Sequence, residues 1–314
     1  MTVTLPSTFD EPVLLGVIGG TGLYHLESLT PVARLTISTP WGHPSSPITI
    51  SRTKTGFPIA FLARHGVHHQ FNPTEVPSRA NIAALKYIGV KAIIAFSAVG
   101  SLREHIKPRD FVLPTQIIDR TKGIRPSTFF ESGMVGHVAF GDPFDEKLAT
   151  VIAKAAPVLE SNGVKLHTKA TEGKDLTLVC MEGPAFSTRA ESHMYRSFGA
   201  SVINMSCIPE AKLAKEAEIC YQMICMSTDY DAWREGEEAV TVETVVGHLK
   251  ANSQNAHNFT EAILDHLEEE IKAGTVGRSL EGSMKYSVST APSQISRAML
   301  EKMHYLLPGY WSLE

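Results

Sequence analysis

The chain has 314 residues, 43% of them apolar, enough to bury a substantial core in one large α/β domain or two smaller ones. A formal charge of −4, with acids and bases interspersed, leaves no long basic stripe and sets nucleic-acid binding aside. The longest apolar run, near 90–100, is far too short to cross a bilayer, and residues 1–12 carry neither a basic start nor an apolar core; a soluble intracellular protein is expected.

Short apolar, β-branched runs at 14–18, 59–62, 91–96, 176–180, 202–204 and 219–226 predict strands. Helical patterns at 77–88, 145–161, 188–198, 209–217 and 242–271 lie between or after them, with a last helix at 296–305. This alternation predicts an α/β fold. No Pro/Ser-rich linker or internal repeat divides the first 270 residues, so a single domain is expected over 13–314 after a short extension at 1–12. Residues 272–294, rich in Gly, Ser and Thr, read as a mobile excursion. Cys180, Cys207, Cys220 and Cys225 form no C-x-x-C pair and fit buried, reduced thiols better than a disulfide frame or a zinc site. Two glycosylation sequons, at Asn204 and Asn258, are expected to be silent.

The first strand empties into Gly19-Gly20-Thr21-Gly22, a turn able to aim backbone N–H groups at an anion, with Thr21 as a side-chain donor. The same glycines could simply turn the chain. A dinucleotide fingerprint fails, because the third glycine is replaced by His25 and no acid occurs between Ser28 and Phe71. A triphosphate loop fails as well, since Gly173-Lys174 runs into Asp175.

In open α/β sheets ligands collect where strands end. Three predicted strands lead into Ala63-Arg64-His65-Gly66, into Ser97-Ala98-Val99-Gly100-Ser101 and into Met205-Ser206, each offering anion donors, although each also has a plain structural reading. His65, His68 and His69 lack a His-Glu-x-x-His partner pattern, so no metal is expected. The strand 219–226 exits through Asp229 and Asp231, which suit a proton donor with an orienting acceptor, or a turn and a helix cap. Val242, Val245 and Val246 form a helical stripe that belongs to the core or walls an apolar pocket.

Taken in order, Gly19-Gly20-Thr21-Gly22, Ala63-Arg64-His65-Gly66, Ala98-Val99-Gly100-Ser101-Leu102, the run from Met181 to Glu191, Val202-Ile203-Asn204-Met205 and Thr228-Asp229-Tyr230-Asp231 resemble the 5′-methylthioadenosine phosphorylases, in the trimeric branch of the purine nucleoside phosphorylases. The likeness covers 13–246. It implies one domain with a mixed central sheet flanked by helices, and a salvage reaction in which methylthioadenosine and phosphate give adenine and 5-methylthioribose 1-phosphate, serving methionine and purine recovery beside polyamine synthesis. By the same resemblance Thr21, Arg64, His65, Ser97, the Ala98 amide and Ser206 bind phosphate, Phe186 packs on the purine, and Met205 lies along the ribose. Asp229 is implied as the catalytic acid, with Tyr230 and Asp231 beside it at the base. Val242, Val245 and Val246, with Ser187 nearby, are implied to line the 5′ pocket, which His137 and Leu306 of a neighbouring subunit close. Ser97 and Ser206 stand where the family often carries threonine. The resemblance further implies a homotrimer in the cytoplasm and nucleus, with phosphate as co-substrate and no cofactor or metal. Rival readings are a phosphorylase of 6-oxopurine nucleosides and a non-catalytic nucleoside sensor.

Overall fold

A computed structural model of the chain describes residues 5–19, 28–236 and 240–313. Strands β1 (Leu15–Gly19), β2 (Thr30–Leu35), β3 (Ile48–Arg52) and β4 (Pro58–Ala63) come first, followed by helix α1 (Ser78–Tyr87) and strands β5 (Ala92–Ser101), β6 (Phe111–Val112) and β7 (Gln116–Asp119). Next come α2 (Glu146–Ala153), α3 (Ala156–Glu160), β8 (Leu166–His167), α4 (Lys169–Glu172), β9 (Thr177–Cys180) and α5 (Arg189–Ser197). The chain closes with β10 (Val202–Asn204), α6 (Cys207–Glu216), β11 (Cys220–Asp229), α7 (Val242–Ala251), α8 (Ser253–Lys272) and α9 (Arg297–Leu306).

The strands join one mixed sheet in the order β2-β3-β4-β1-β5-β10-β9-β7, with β11 on β5 and on β6, and β6 on β8. Period-2 alternation along β5 sends Ile93 and Ala95 to one face and Ala92, Ile94 and Phe96 to the other. The first face packs on α1, α6 and α9, the second on α2, α3 and α8, so both sides of the central strands are dry and their sequence is nearly all apolar. All four cysteines are buried free thiols.

Strand β5 changes neighbours along one edge. It pairs in parallel with β1 from Ala92 to Ala95, and antiparallel with β10 at Gly100 and Ser101. Both partners lie on the same edge, because β11 runs along the opposite one from Ala92 to Gly100. Residues 96–99 therefore have no strand beside them on that edge, and their backbone groups there must find other partners.

Several elements differ from the sequence reading. The segment Ser97–Ser101 was expected to follow its strand but belongs to β5, and Ser227–Asp229 likewise belongs to β11. Helix 145–161 is two helices, because Pro157 cannot donate within a continuous helix and its ring crowds the preceding turn. Helix 242–271 breaks at Asn252, whose side-chain amide donates to the Arg109 carbonyl. Residues 272–294, expected to be an excursion, lie against the body of the molecule. Met284 and Val276 are buried, the Met284 amide donates to Glu218, Ser279 Oγ donates to Asp145, and Val288 bridges to Gly136.

Leu306 also departs from its expected place. It is 0% exposed in this chain's own core, because Met299, Met303 and Leu306 recur at helical spacing and turn one face of α9 inward. A side chain used in that way is not offered to a neighbour's pocket. Leu306→Ala should cost about 2–5 kcal/mol of stability, read as a lower denaturation midpoint. An unchanged midpoint would place Leu306 outside the core.

Candidate active site

A cavity of about 600 Å3 opens beside residues 96–99 of β5, where the strand has no neighbour. N–H and C=O of one strand residue point to the same side. The Phe96 carbonyl accepts from Arg64 Nη1 at 2.8 Å on that edge, so the Ala98 amide, two residues on, faces the same way. Arg64 follows β4, and its guanidinium, 3% exposed, is fixed by a bidentate pair with Glu210 of α6, Nε–Oε2 and Nη2–Oε1 both at 2.8 Å. Tyr221 donates to the same Glu210 carboxylate at 2.7 Å. A buried pair of this kind recovers its desolvation cost only with good geometry and further hydrogen bonds, and here both are present. It holds a cation at the cavity wall in one orientation.

Ser97 Oγ and Ser206 Oγ lie 3.0 Å apart, one from β5 and one from the start of α6. Asn204 Nδ2, at the end of β10, donates to Ser97 Oγ at 3.0 Å and lies 3.4 Å from Ser206 Oγ. A hydroxyl whose lone pair accepts from an amide is left to donate elsewhere. The buried Asn204 thus takes an acceptor site on Ser97 Oγ, which itself donates to the Ala98 carbonyl at 3.0 Å, and Arg125 ties the same region together through the carbonyls of Met205, Ile208 and Glu182. His65 Nδ1 lies 2.8 Å from the Phe71 carbonyl. Burial first, and then the Arg64 charge, lower its pKa to about 4, so near neutral pH the ring is uncharged, donates through Nδ1 and presents Nε2 as an acceptor.

Across the cavity β11 ends in a bulge: Ser227 pairs with Val99 and Asp229 with Gly100, leaving Thr228 as the extra residue. The missing side chain of Gly100 makes room for the acids, since a Cβ there would sit 3.0 Å from Asp229 Oδ1 and 3.2 Å from Asp231 Cβ. Asp229 accepts from Thr228 Oγ1 at 2.7 Å and from the Asp231 amide at 2.8 Å. Burial nevertheless raises its pKa. Burial also raises that of Asp231, with the Asp229 charge adding to it, while the hydroxyls of Ser192 and Ser187 pull the other way. Asp231 Oδ2 is buried and has no hydrogen-bond partner among the described residues.

Much of the remaining wall is apolar, with polar residues of the loop from His69 to Glu75 and Ser253 and His257 of α8 among it. Phe186, Met205, Val242, Val245, Val246, Leu249 and Ala256 line it. The α7 residues are unusually open, Val242 being 69% exposed.

The structure thus brings Arg64, His65, Ser97, Ala98, Ser206, Phe186, Met205, Asp229, Asp231 and the three valines around one cavity. Others fall elsewhere. Tyr230, just past the end of β11, does not line the cavity and packs on Trp233. Ser187 is buried against Met181 and does not line the wall. His137 is exposed, its amide donates to the Ser287 carbonyl, and it does not line this chain's own cavity. Leu306 is in the core, and Thr21 lies outside the described residues. Asn204, Glu210 and Arg125 escaped the sequence reading. Asn204 could have been noticed as an amide at a predicted strand end, but an acid and an arginine within polar stretches carry no such mark.

Residues 14–265 match the model of the phosphorylase superfamily. The chain belongs to that superfamily. Within it, the chain is 64% identical to an S-methyl-5′-thioadenosine phosphorylase of Yarrowia lipolytica, over 98% of this chain and 97% of the relative. It is 59% identical to one of Schizosaccharomyces pombe, over 95% and 97%. Among solved structures, a methylthioadenosine phosphorylase from an antarctic soil metagenomic library superposes with a TM-score of 0.85 at 38% identity, over 95% of this chain and all of that one. The Schistosoma mansoni methylthioadenosine phosphorylase in complex with adenine gives 0.79 at 30% identity, over 89% and 100%.

For a phosphorylase of this build, the Glu210–Arg64 pair predicts a specific defect. Glu210→Gln removes the charge that holds the guanidinium, and the KM for phosphate should rise at least about tenfold, the equivalent of about 1.4 kcal/mol, with a smaller effect on the nucleoside KM. Initial rates at varied phosphate, on protein verified as folded, read the outcome. Equal losses for both substrates would remove Glu210 from anion positioning.

Proposed function

We infer that the protein catalyses phosphorolysis of S-methyl-5′-thioadenosine to adenine and 5-methylthioribose 1-phosphate, a salvage reaction. The observation that carries this reading is the opposition of two sites across one cavity: a fixed cation with convergent hydroxyls at the β5 gap, and a pair of acids with raised pKa values at the end of β11. The first suits phosphate and the second a departing purine. High identity over nearly the whole chain to S-methyl-5′-thioadenosine phosphorylases supports the same conclusion.

Cleavage of the glycosidic bond places positive charge on the ribose, as in other oxocarbenium-like sugar transfers, and negative charge on the base. Phosphate held by Arg64, the Ala98 amide, Ser97 and Ser206 lies ready to stabilise that cation and capture it, which removes much of the entropy cost of a two-body encounter. Neutral His65 receives a hydrogen bond from a protonated phosphate oxygen through Nε2. Asp229, whose pKa burial raises, donates in its protonated form to purine N7 as charge builds there. Asp231 accepts from the 6-amino group through Oδ2, the buried oxygen with no partner among the described residues. A 6-oxo purine would bring an acceptor to that oxygen, an unmatched pairing that disfavours it. Val242, Val245 and Val246 bury the methylthio group. Phosphate is the co-substrate, and the chain's own residues supply every catalytic group without a resident cofactor. We further propose a homotrimer whose neighbouring subunit brings His137 to this cavity, and a cytoplasmic and nuclear setting in which the four thiols stay reduced.

Adenine release from methylthioadenosine should require phosphate, measured as base formation with and without it. Equal rates in phosphate-free buffer would make the protein a hydrolase. Asp229→Asn should lower kcat on methylthioadenosine by about 100-fold or more, within the usual range for losing a general acid. The wild-type rate should also fall as pH rises through the elevated Asp229 pKa, because the working form is the protonated one. Unchanged turnover of 6-aminopurine nucleosides in the variant would remove Asp229 from the chemistry.

A further inference from the structure

On the opposite side of β6 from β11, away from the cavity, three side chains converge that the reaction does not use. His167 of β8 is buried, and its Nδ1 lies 2.8 Å from Glu172 Oε1. His105, in the turn after β5 and 49% exposed at its side chain, brings Nε2 to 2.9 Å from the other oxygen, Glu172 Oε2. One ligand atom from each of the three lies within 4.8 Å of the other two, and none of these residues lines the active-site cavity.

Two features separate this cluster from an ordinary surface ion pair. One is the outer support of the ring. His167 Nε2 meets Asp110 Oδ2 at 3.0 Å, and Asp110 is itself held by the amides of Lys107 and Lys165. A carboxylate on the far nitrogen is how metal-binding histidines are oriented and made more basic. The other is rigidity on two of three sides. Glu172 ends α4, which Thr168 caps reciprocally with Thr171 and Gly173 closes in the left-handed conformation, while His167 is pinned by β8 pairing with β6. Only His105 stands on an open turn and is able to close in.

We propose that His105, His167 and Glu172 form a binding site for a borderline divalent cation such as Zn2+, with Asp110 as the positioning residue behind His167. Two imidazoles and a carboxylate are a known donor set for zinc with one position left for water. Ligands bound at 2.0–2.1 Å in tetrahedral geometry keep roughly 3.3 Å between them, so His105 needs only a small approach toward the other two. The cation takes the place of the proton shared by His167 Nδ1 and Glu172 and releases it to solvent. His105 lies 67 residues before Glu172, so spacing along the chain gave no sign of the three together.

Full-length protein freed of metal with a chelator, then titrated with Zn2+ by calorimetry, should bind one equivalent per chain at this site. Co2+ should give the visible spectrum of a tetrahedral centre. His105→Ala, on an exposed turn, and Glu172→Gln should each weaken that binding at least 100-fold, and Asp110→Asn by about 10–100-fold, as outer-sphere partners do. His68→Ala, in the exposed loop that holds the other histidine group, should leave it unchanged. No stoichiometric binding, binding that survives both ligand variants, or loss of binding in His68→Ala would each overturn the proposal. None of these readouts depends on the phosphorylase reaction.

Discussion

The site exists because β5 trades one partner for another. Strand β1 leaves it after Ala95 and β10 joins it only at Gly100, so four residues in the middle of a buried strand have a bare edge. Backbone groups stranded inside a protein must be satisfied. Part of the debt is met by Arg64, which reaches the Phe96 carbonyl, and the rest of the edge is available to an anion. The pairing of β11 on the other edge then sets where the acids stand, since the register that aligns Cys225 with Ser97 slips by one residue at the Thr228 bulge and so brings Asp229 opposite Gly100. Cation, hydroxyls and acids are therefore placed by a single strand and its neighbours rather than by independent loops.

Arg64 and Glu210 show how that arrangement is kept rigid. Neither charge faces bulk water, and each would be costly alone. Paired, and with Tyr221 on the carboxylate, they give the cavity a directed array of N–H groups. Asn204 does the same for Ser97 Oγ at the neutral level, by taking an acceptor site on it. In both cases a residue that need not touch substrate decides which way a group that does will point.

Much of this was legible along the chain. Buried central strands such as β1, β5 and β11 announce themselves through continuous apolar runs, and the polar residues at their ends mark the cavity. Strands β2 and β3 escaped notice because Thr30–Leu35 and Ile48–Arg52 mix polar and apolar residues on a sheet flank that is only partly covered. Strands β6 and β8 are two residues each, too short to carry any period. The gap in β5, the bulge at Thr228 and the grip of Glu210 on Arg64 are products of long-range pairing, and no local pattern encodes them. Leu306 is the opposite case: its inward place is written in the helical spacing of Met299, Met303 and Leu306, and the family likeness obscured it.

The open face of α7 leaves the polypeptide with packing that it does not complete by itself. Its valines gain their apolar neighbours when a guest arrives, so association should carry a negative heat-capacity change, the mark of nonpolar surface leaving water. Such a contribution fades on cooling, whereas charge-assisted contacts at the anion end do not depend on it. Preference for a thioether over a hydroxyl at the sugar's far end is thus a temperature-dependent property of this fold, tuned by a helix that remains half wet until the cavity fills.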